Sequence, residues 1–144
     1  MKRLLQARRR LFPDEATLVG LHAGSRALVR EVLLHCGDTP VVFAHSVVAT
    51  KHLRGAWRSL RGLGTKPLAT ALFADPRVQR GPLHFRKLSC RNLLRVRAAE
   101  FVSDLPAELW ARRSVFRRDG APLLVTEVFL PEILGLRSHV EVHL

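Results

Sequence analysis

Tyrosine is absent from this chain of 144 residues, methionine occurs once, and cysteine twice. Cys36 and Cys90 lie far apart without metal-ligand spacing, so they read as two reduced thiols of a cytosolic protein. No apolar run approaches the roughly 18 residues that a membrane-crossing helix needs. The basic start, Met1 to Arg10, lacks the apolar stretch of a secretory signal. Acidic residues are scarce too: 12 against 24 basic ones, giving a formal net charge of +12. Aromatics amount to 6%, and none interleave with the scattered arginines as a nucleic-acid-binding surface would require. That argues against a specific nucleic-acid partner and leaves a positive field that steers small anions. Internal repeats and low-complexity segments are also missing.

What remains is one domain with an ordinary apolar share of 47%. A basic lead-in occupies residues 1–24, where Arg8, Arg9 and Arg10 read as a solvated face or a frayed end. Two strands are expected over Ala27–Cys36 and Pro40–Ala49, joined through Gly37-Asp38-Thr39 as an antiparallel pair. Over Lys51–Leu63, the spacing of Leu53, Trp57, Leu60 and Leu63 predicts an amphipathic helix with Trp57 in the core. Gly62-Leu63-Gly64-Thr65-Lys66 breaks it, and Pro67 opens a short second helix, Leu68–Phe73. This turn lacks phosphate-loop spacing and reads as a hinged cover over a pocket or simply as a corner between helices. Val78–Cys90 reads as a strand, and Arg91–Glu108 has no clean period.

The C-terminal third is the most informative part. Asp119-Gly120 is a tight-turn signal joining two strands between Trp110 and Leu130. Residues 132–144 form a tail in which His139–His143 alternates, reading as an edge strand or a disordered end. Strands paired through short turns, with helices between them, predict an α+β domain on an antiparallel sheet. Glu127 lies inside the apolar run Leu123–Leu130, and Arg30 inside Ala27–Leu34. A charge in such a setting is costly unless it is paired. The two therefore mark either a small enclosed polar site or a buried ion pair that serves the fold.

Five ordered blocks then resemble bacterial chorismate lyases. They are Arg30-Glu31-Val32-Leu33-Leu34, Ser46-Val47-Val48, Leu63-Gly64-Thr65-Lys66-Pro67-Leu68 with Leu72-Phe73, Trp110-Ala111-Arg112-Arg113-Ser114, and Pro122 to Pro131. The resemblance spans residues 25–131. It implies an antiparallel sheet with helices on one face and helical flaps over the ligand. It also implies conversion of chorismate into 4-hydroxybenzoate and pyruvate for ubiquinone synthesis, by a cytoplasmic monomer that uses no metal and no organic cofactor. On this resemblance Arg30 grips the ligand carboxylate, Glu127 faces the ring hydroxyl, and Leu68 closes over the ring. Arg30 and Glu127 are then the catalytic pair.

The chain departs from the family in four ways. It is N-terminally shortened, with a basic lead-in in place of a segment that supplies a helix, a strand and part of a flap. The segment's ligand-contacting methionine has no expected counterpart. His45 replaces a second arginine, and is either a ligand contact or a satisfied interior histidine. The stretch Gln79–Leu105 is longer than its equivalent. The competing class is a non-catalytic domain of the same fold that binds an aromatic acid, as in the sensor domains of some transcription regulators. A basic RNA-associated protein is a third reading, resting on charge alone.

Overall fold

The computed structural model describes residues 1–135. In chain order the elements are β1 (Lys2–Arg10), α1 (Pro13–Ala16), β2 (Arg26–Cys36), β3 (Thr39–Val48), α2 (Leu68–Phe73), β4 (Val78–Arg80), β5 (His84–Leu88), α3 (Leu93–Ala99), β6 (Leu109–Arg118) and β7 (Ala121–Phe129). They build one seven-stranded sheet in the order β1-β2-β3-β7-β6-β4, with β5 also paired to β6. Every pairing is antiparallel. The α+β class and its sheet are as the sequence predicts.

Strand alternation divides the core in two. The face carrying Arg30, here the front, presents Val32, Ala44, Leu123 and Val125 to Trp57, Leu60, Leu63, Leu68 and Leu72. The back face presents Leu33, Phe43 and Val128 to Leu94 and Ala98 of α3. Val29, Val47 and Leu124 on the same side meet Ala16 and Val19 around α1. Helical segments are thus shared between the two faces instead of gathered on one.

Several local expectations change. The lead-in, to which the sequence assigned no element, supplies the edge strand β1, paired with β2 from Lys2↔Leu33 to Arg10↔Arg26. Its Arg8, Arg9 and Arg10 are exposed, a charged edge that discourages pairing with further chains. The single helix expected over Lys51–Leu63 is two 3₁₀ turns, Thr50–Arg54 and Arg58–Gly62. Gly55, at φ −131° and ψ −115°, separates them. Trp57 is fully buried as expected, and its indole N–H donates to the Ala121 carbonyl at 2.9 Å. Gly81-Pro82 splits the expected strand Val78–Cys90 into β4 and β5. α3 forms where no period was legible, capped by Asn92, whose side chain accepts from the Leu94 and Arg95 N–H groups. The β6–β7 turn has positive φ at Asp119 and Gly120, as a type I′ hairpin requires. Pro131–Gly135 forms a 3₁₀ turn, and the alternating His139–His143 lies outside the described residues.

Candidate functional site

The front face is where a buried cation lacks an anion. Arg30 is only 6% exposed, yet among the described residues no carboxylate pairs with it. Its guanidinium is held instead by neutral acceptors. Nη2 donates to the Lys66 carbonyl at 2.8 Å, and Nη1 to the Gly64 carbonyl at 3.2 Å. Both carbonyls belong to the Gly-rich turn read as a cover, which bends through Gly64 at φ +59°. Gln6, opposite Arg30 on β1, accepts from Nη1 at 3.3 Å. Burial, then the charge of Arg3, pulls the Arg30 pKa below its ordinary value. An anion placed against Arg30 would offset both effects.

Met1 completes this environment, with its Sδ 3.9 Å from Arg30 Nη2. The sequence offered no counterpart for a ligand-contacting methionine, and the structure places Met1 beside Arg30. β1 pairs with β2 alongside Arg30 and brings the chain's one methionine to it.

Glu127 is the second front-face charge, 2% exposed on β7. It pairs with Arg112, directly opposite on β6, with Nε–Oε1 at 2.6 Å and Nη2–Oε2 at 3.3 Å. The alternative of an Arg30–Glu127 ion pair is thereby overturned: β3 lies between their strands, and each has other partners. Two strand spacings separate β2 from β7, roughly 10 Å. In the register Ala44 is opposite Glu127 and Ser46 opposite Arg30, with Val125 beyond Ser46, so the floor between them is apolar at Ala44 and Val125 and carries one hydroxyl at Ser46. Leu68, at the start of α2, is buried in the same apolar cluster. Arg30, Leu68 and Glu127 thus share one face, with a cation at one end, an arginine-held carboxylate acceptor at the other and a largely apolar body between.

His45 is not with them. On β3 it alternates with Ala44 and Ser46 and points to the back, where Glu31 is its register partner. Its Nδ1 lies 2.8 Å from Glu31 Oε2, and its Nε2 lies 2.7 Å from Glu15 Oε1 on α1. Arg97 of α3 adds a 2.7 Å contact from Nε to Glu31 Oε1. Phe12 stacks on the imidazole with centroids 5.4 Å apart. Two carboxylates, one guanidinium and one imidazolium sum to zero charge, and the carboxylates push the His45 pKa up to about 9 against the opposing effect of burial. Glu31 falls below the usual carboxylate range, held down by His45 and Arg97 although burial alone would raise it. The structure thus places His45 in an ion-pair cluster that ties α1 and α3 to the back of the sheet, and not beside Arg30 and Glu127.

The back face also carries a cleft of about 790 Å³ between α1 and the β5–α3 region, lined by Phe12, Leu18, Pro82, Leu88 and Thr126 among others. Its lining includes neither Arg30 nor Leu68 nor Glu127. Of the residues near the front site, sequence reading missed Gln6, Met1 and Arg112. Arg112 alone had a signal, since counting outward from the Asp119-Gly120 turn sets it across from Glu127.

Comparison with known proteins bears on this geometry. A family model described as chorismate lyase matches residues 2–138. A protein of Nitrosospira multiformis named "Probable chorismate pyruvate-lyase" is 54% identical over 136 residues, covering 94% of this chain and 76% of the relative. A protein of the same name from Nitrosomonas europaea is 54% identical over 123 residues, covering 85% of this chain and 69% of the relative. Among solved structures, the ligand-binding domain of a GntR-family transcriptional regulator from Bordetella bronchiseptica superposes with a TM-score of 0.63 at 18% identity. That match covers 91% of this chain and 83% of the regulator domain, and at such identity it shows the fold alone.

Proposed function

The chain belongs to the chorismate lyase family, and from that premise we propose that it cleaves chorismate to 4-hydroxybenzoate and pyruvate, supplying ubiquinone synthesis in the cytoplasm. The observation that carries this reading is Arg30, a buried guanidinium that among the described residues has only neutral acceptors and shares the front face with Glu127. A planar acid with a carboxylate at one end and a hydroxyl at the other fits that polarity. Arg30 would take the carboxylate, for which a guanidinium is a planar two-pronged donor. Glu127 would accept a hydrogen bond from the ring hydroxyl.

The chemistry asks little covalent work of the protein. The bond between the ring carbon and the enolpyruvyl oxygen breaks, and the neighbouring hydroxyl-bearing carbon loses its proton. The ring becomes aromatic, while the expelled enolpyruvate gains a proton and becomes pyruvate. Aromatisation supplies the driving force, so the site's tasks are to hold one conformer and exclude water. Arg30 fixes the ring carboxylate and stabilises charge as it develops. Leu68 and the Gly64–Pro67 turn cover the ring. Glu127 orients the hydroxyl-bearing carbon, and proton removal can proceed to it or to the departing oxygen. The +12 net charge draws in a dianionic substrate.

The test is to mix purified protein with chorismate and quantify both products. Equal amounts of 4-hydroxybenzoate and pyruvate, abolished in Arg30→Ala and Glu127→Ala, are the expected result. Saturable binding of 4-hydroxybenzoate without turnover would overturn the lyase in favour of a binding domain on this fold.

A further inference from the structure

Glu127 is held by a side chain that ligand binding alone does not call for. Arg112 engages both of its oxygens, at 2.6 and 3.3 Å, from the directly opposite position on β6. Burying such a pair is not explained by stability, since an apolar pair of similar volume serves a fold as well or better. The pair is also graded in depth: the Glu127 side chain is 3% exposed, the Arg112 side chain 25%. The carboxylate is the deeper of the two groups and the guanidinium the more exposed. Arg112 is itself fixed, with its guanidinium carbon 5.4 Å from the centre of the Phe129 ring.

We propose that Arg112 is a positioning residue. It fixes the Glu127 carboxylate as a pure hydrogen-bond acceptor in one orientation, and so makes the site select an aromatic acid bearing a hydroxyl opposite its carboxylate over one bearing none. Each carboxylate oxygen accepts one N–H from Arg112 and keeps a further lone pair for the ligand. A carboxylate without that partner is free to rotate, and then answers a hydroxyl less specifically. The inference rests on the reading of Glu127 given under Proposed function.

The experiment is calorimetric binding of 4-hydroxybenzoate and of benzoate to the full chain, with selectivity taken as the ratio of the two affinities. Glu127→Gln should lower that ratio about tenfold or more, the scale of a hydrogen bond to a charged group. Arg112→Gln should lower it comparably while changing benzoate affinity by less than about threefold, because the Arg30 end is untouched. The double variant, which leaves no unpaired charge, should be no less selective than Glu127→Gln alone. Arg112→Lys should fall between, because an ammonium keeps the charge but lacks the fork. If Arg112→Gln does not fold, the lysine and double variants carry the same comparison. Wild-type selectivity in Arg112→Gln or Arg112→Lys, with the ratio lost in Glu127→Gln, would overturn the proposal. A ratio unchanged in Glu127→Gln would overturn the reading of Glu127 itself, and the role of Arg112 with it.

Discussion

Arg30 and Glu31 adjoin on β2 and serve opposite faces of the sheet. Arg30 holds the turn carbonyls in front, and Glu31 joins His45 and Arg97 behind. The strand carrying Arg30 is thus gripped from the back by the cluster of Glu31, His45 and Arg97. Replacing Arg30 removes two bonds to the Gly64–Lys66 turn together with the ligand contact proposed for it. We expect Arg30→Ala to weaken 4-hydroxybenzoate binding by about 2–5 kcal/mol. Glu127 keeps Arg112 in that variant, so the loss arises at Arg30 and the turn, not from an orphaned carboxylate. Direct titration checks this, and an unchanged affinity would remove Arg30 from the site.

The cluster behind the sheet predicts a stability slope. His45 has its pKa raised from 6.5 to about 9 in the folded chain. A raised folded value means that the native state holds the proton more tightly, so its contribution is complete below the unfolded value. That contribution fades as pH rises from about 6.5 through 9, and its full size is roughly 3 kcal/mol. Urea unfolding across this window should show falling stability. His45→Gln should be less stable at neutral pH and show a flatter slope. A wild-type slope retained in the variant would assign the effect to other groups. At the acid end the sign reverses. Glu31 is depressed, so its contribution is present above its unfolded value and is lost as pH falls through the folded one.

Much of this arrangement was legible in the residues, and the gaps have physical causes. The β2–β3 and β6–β7 hairpins follow from alternating apolar runs around Gly37-Asp38 and Asp119-Gly120. β1 escaped because its register shifts between Arg3 and Leu5, which breaks period-two alternation. The helix expected over Lys51–Leu63 failed because leucine spacing survives in two 3₁₀ turns hinged at Gly55. His45 resembled a ligand contact by its place in the chain, but facing is set by register, and register puts it against Glu31. Arg112 could have been found from the hairpin turn alone.

Gly81, at the break between β4 and β5, tests how tightly this edge is built. A Cβ there would stand 2.7 Å from the Val115 carbonyl oxygen. That oxygen cannot retreat easily, because it accepts the Gly81 N–H at 2.9 Å, while Ser114 Oγ donates to the Gly81 carbonyl at 2.8 Å. Gly81→Ala should therefore destabilise the chain by about 1–3 kcal/mol, as overpacking does. Thermal unfolding measures this. An unchanged midpoint would mean that the joint opens without cost.

Leu68 separates covering the ring from holding the fold. It is buried at the first position of α2, just after Pro67, against the front apolar cluster. Truncation leaves a cavity, so Leu68→Ala should cost about 2–4 kcal/mol of stability. If the side chain only fills the core, a folded Leu68→Ala sample should bind 4-hydroxybenzoate with nearly wild-type affinity. If it also closes over the ring, affinity should fall by about a further 1–2 kcal/mol at temperatures where the variant is fully folded. The dissociation rate should carry most of that change, because a loosened cover affects escape more than encounter. Stopped-flow displacement on the folded variant reads the two rates separately. Faster release is the expected result, whereas an unchanged release rate would confine Leu68 to the core.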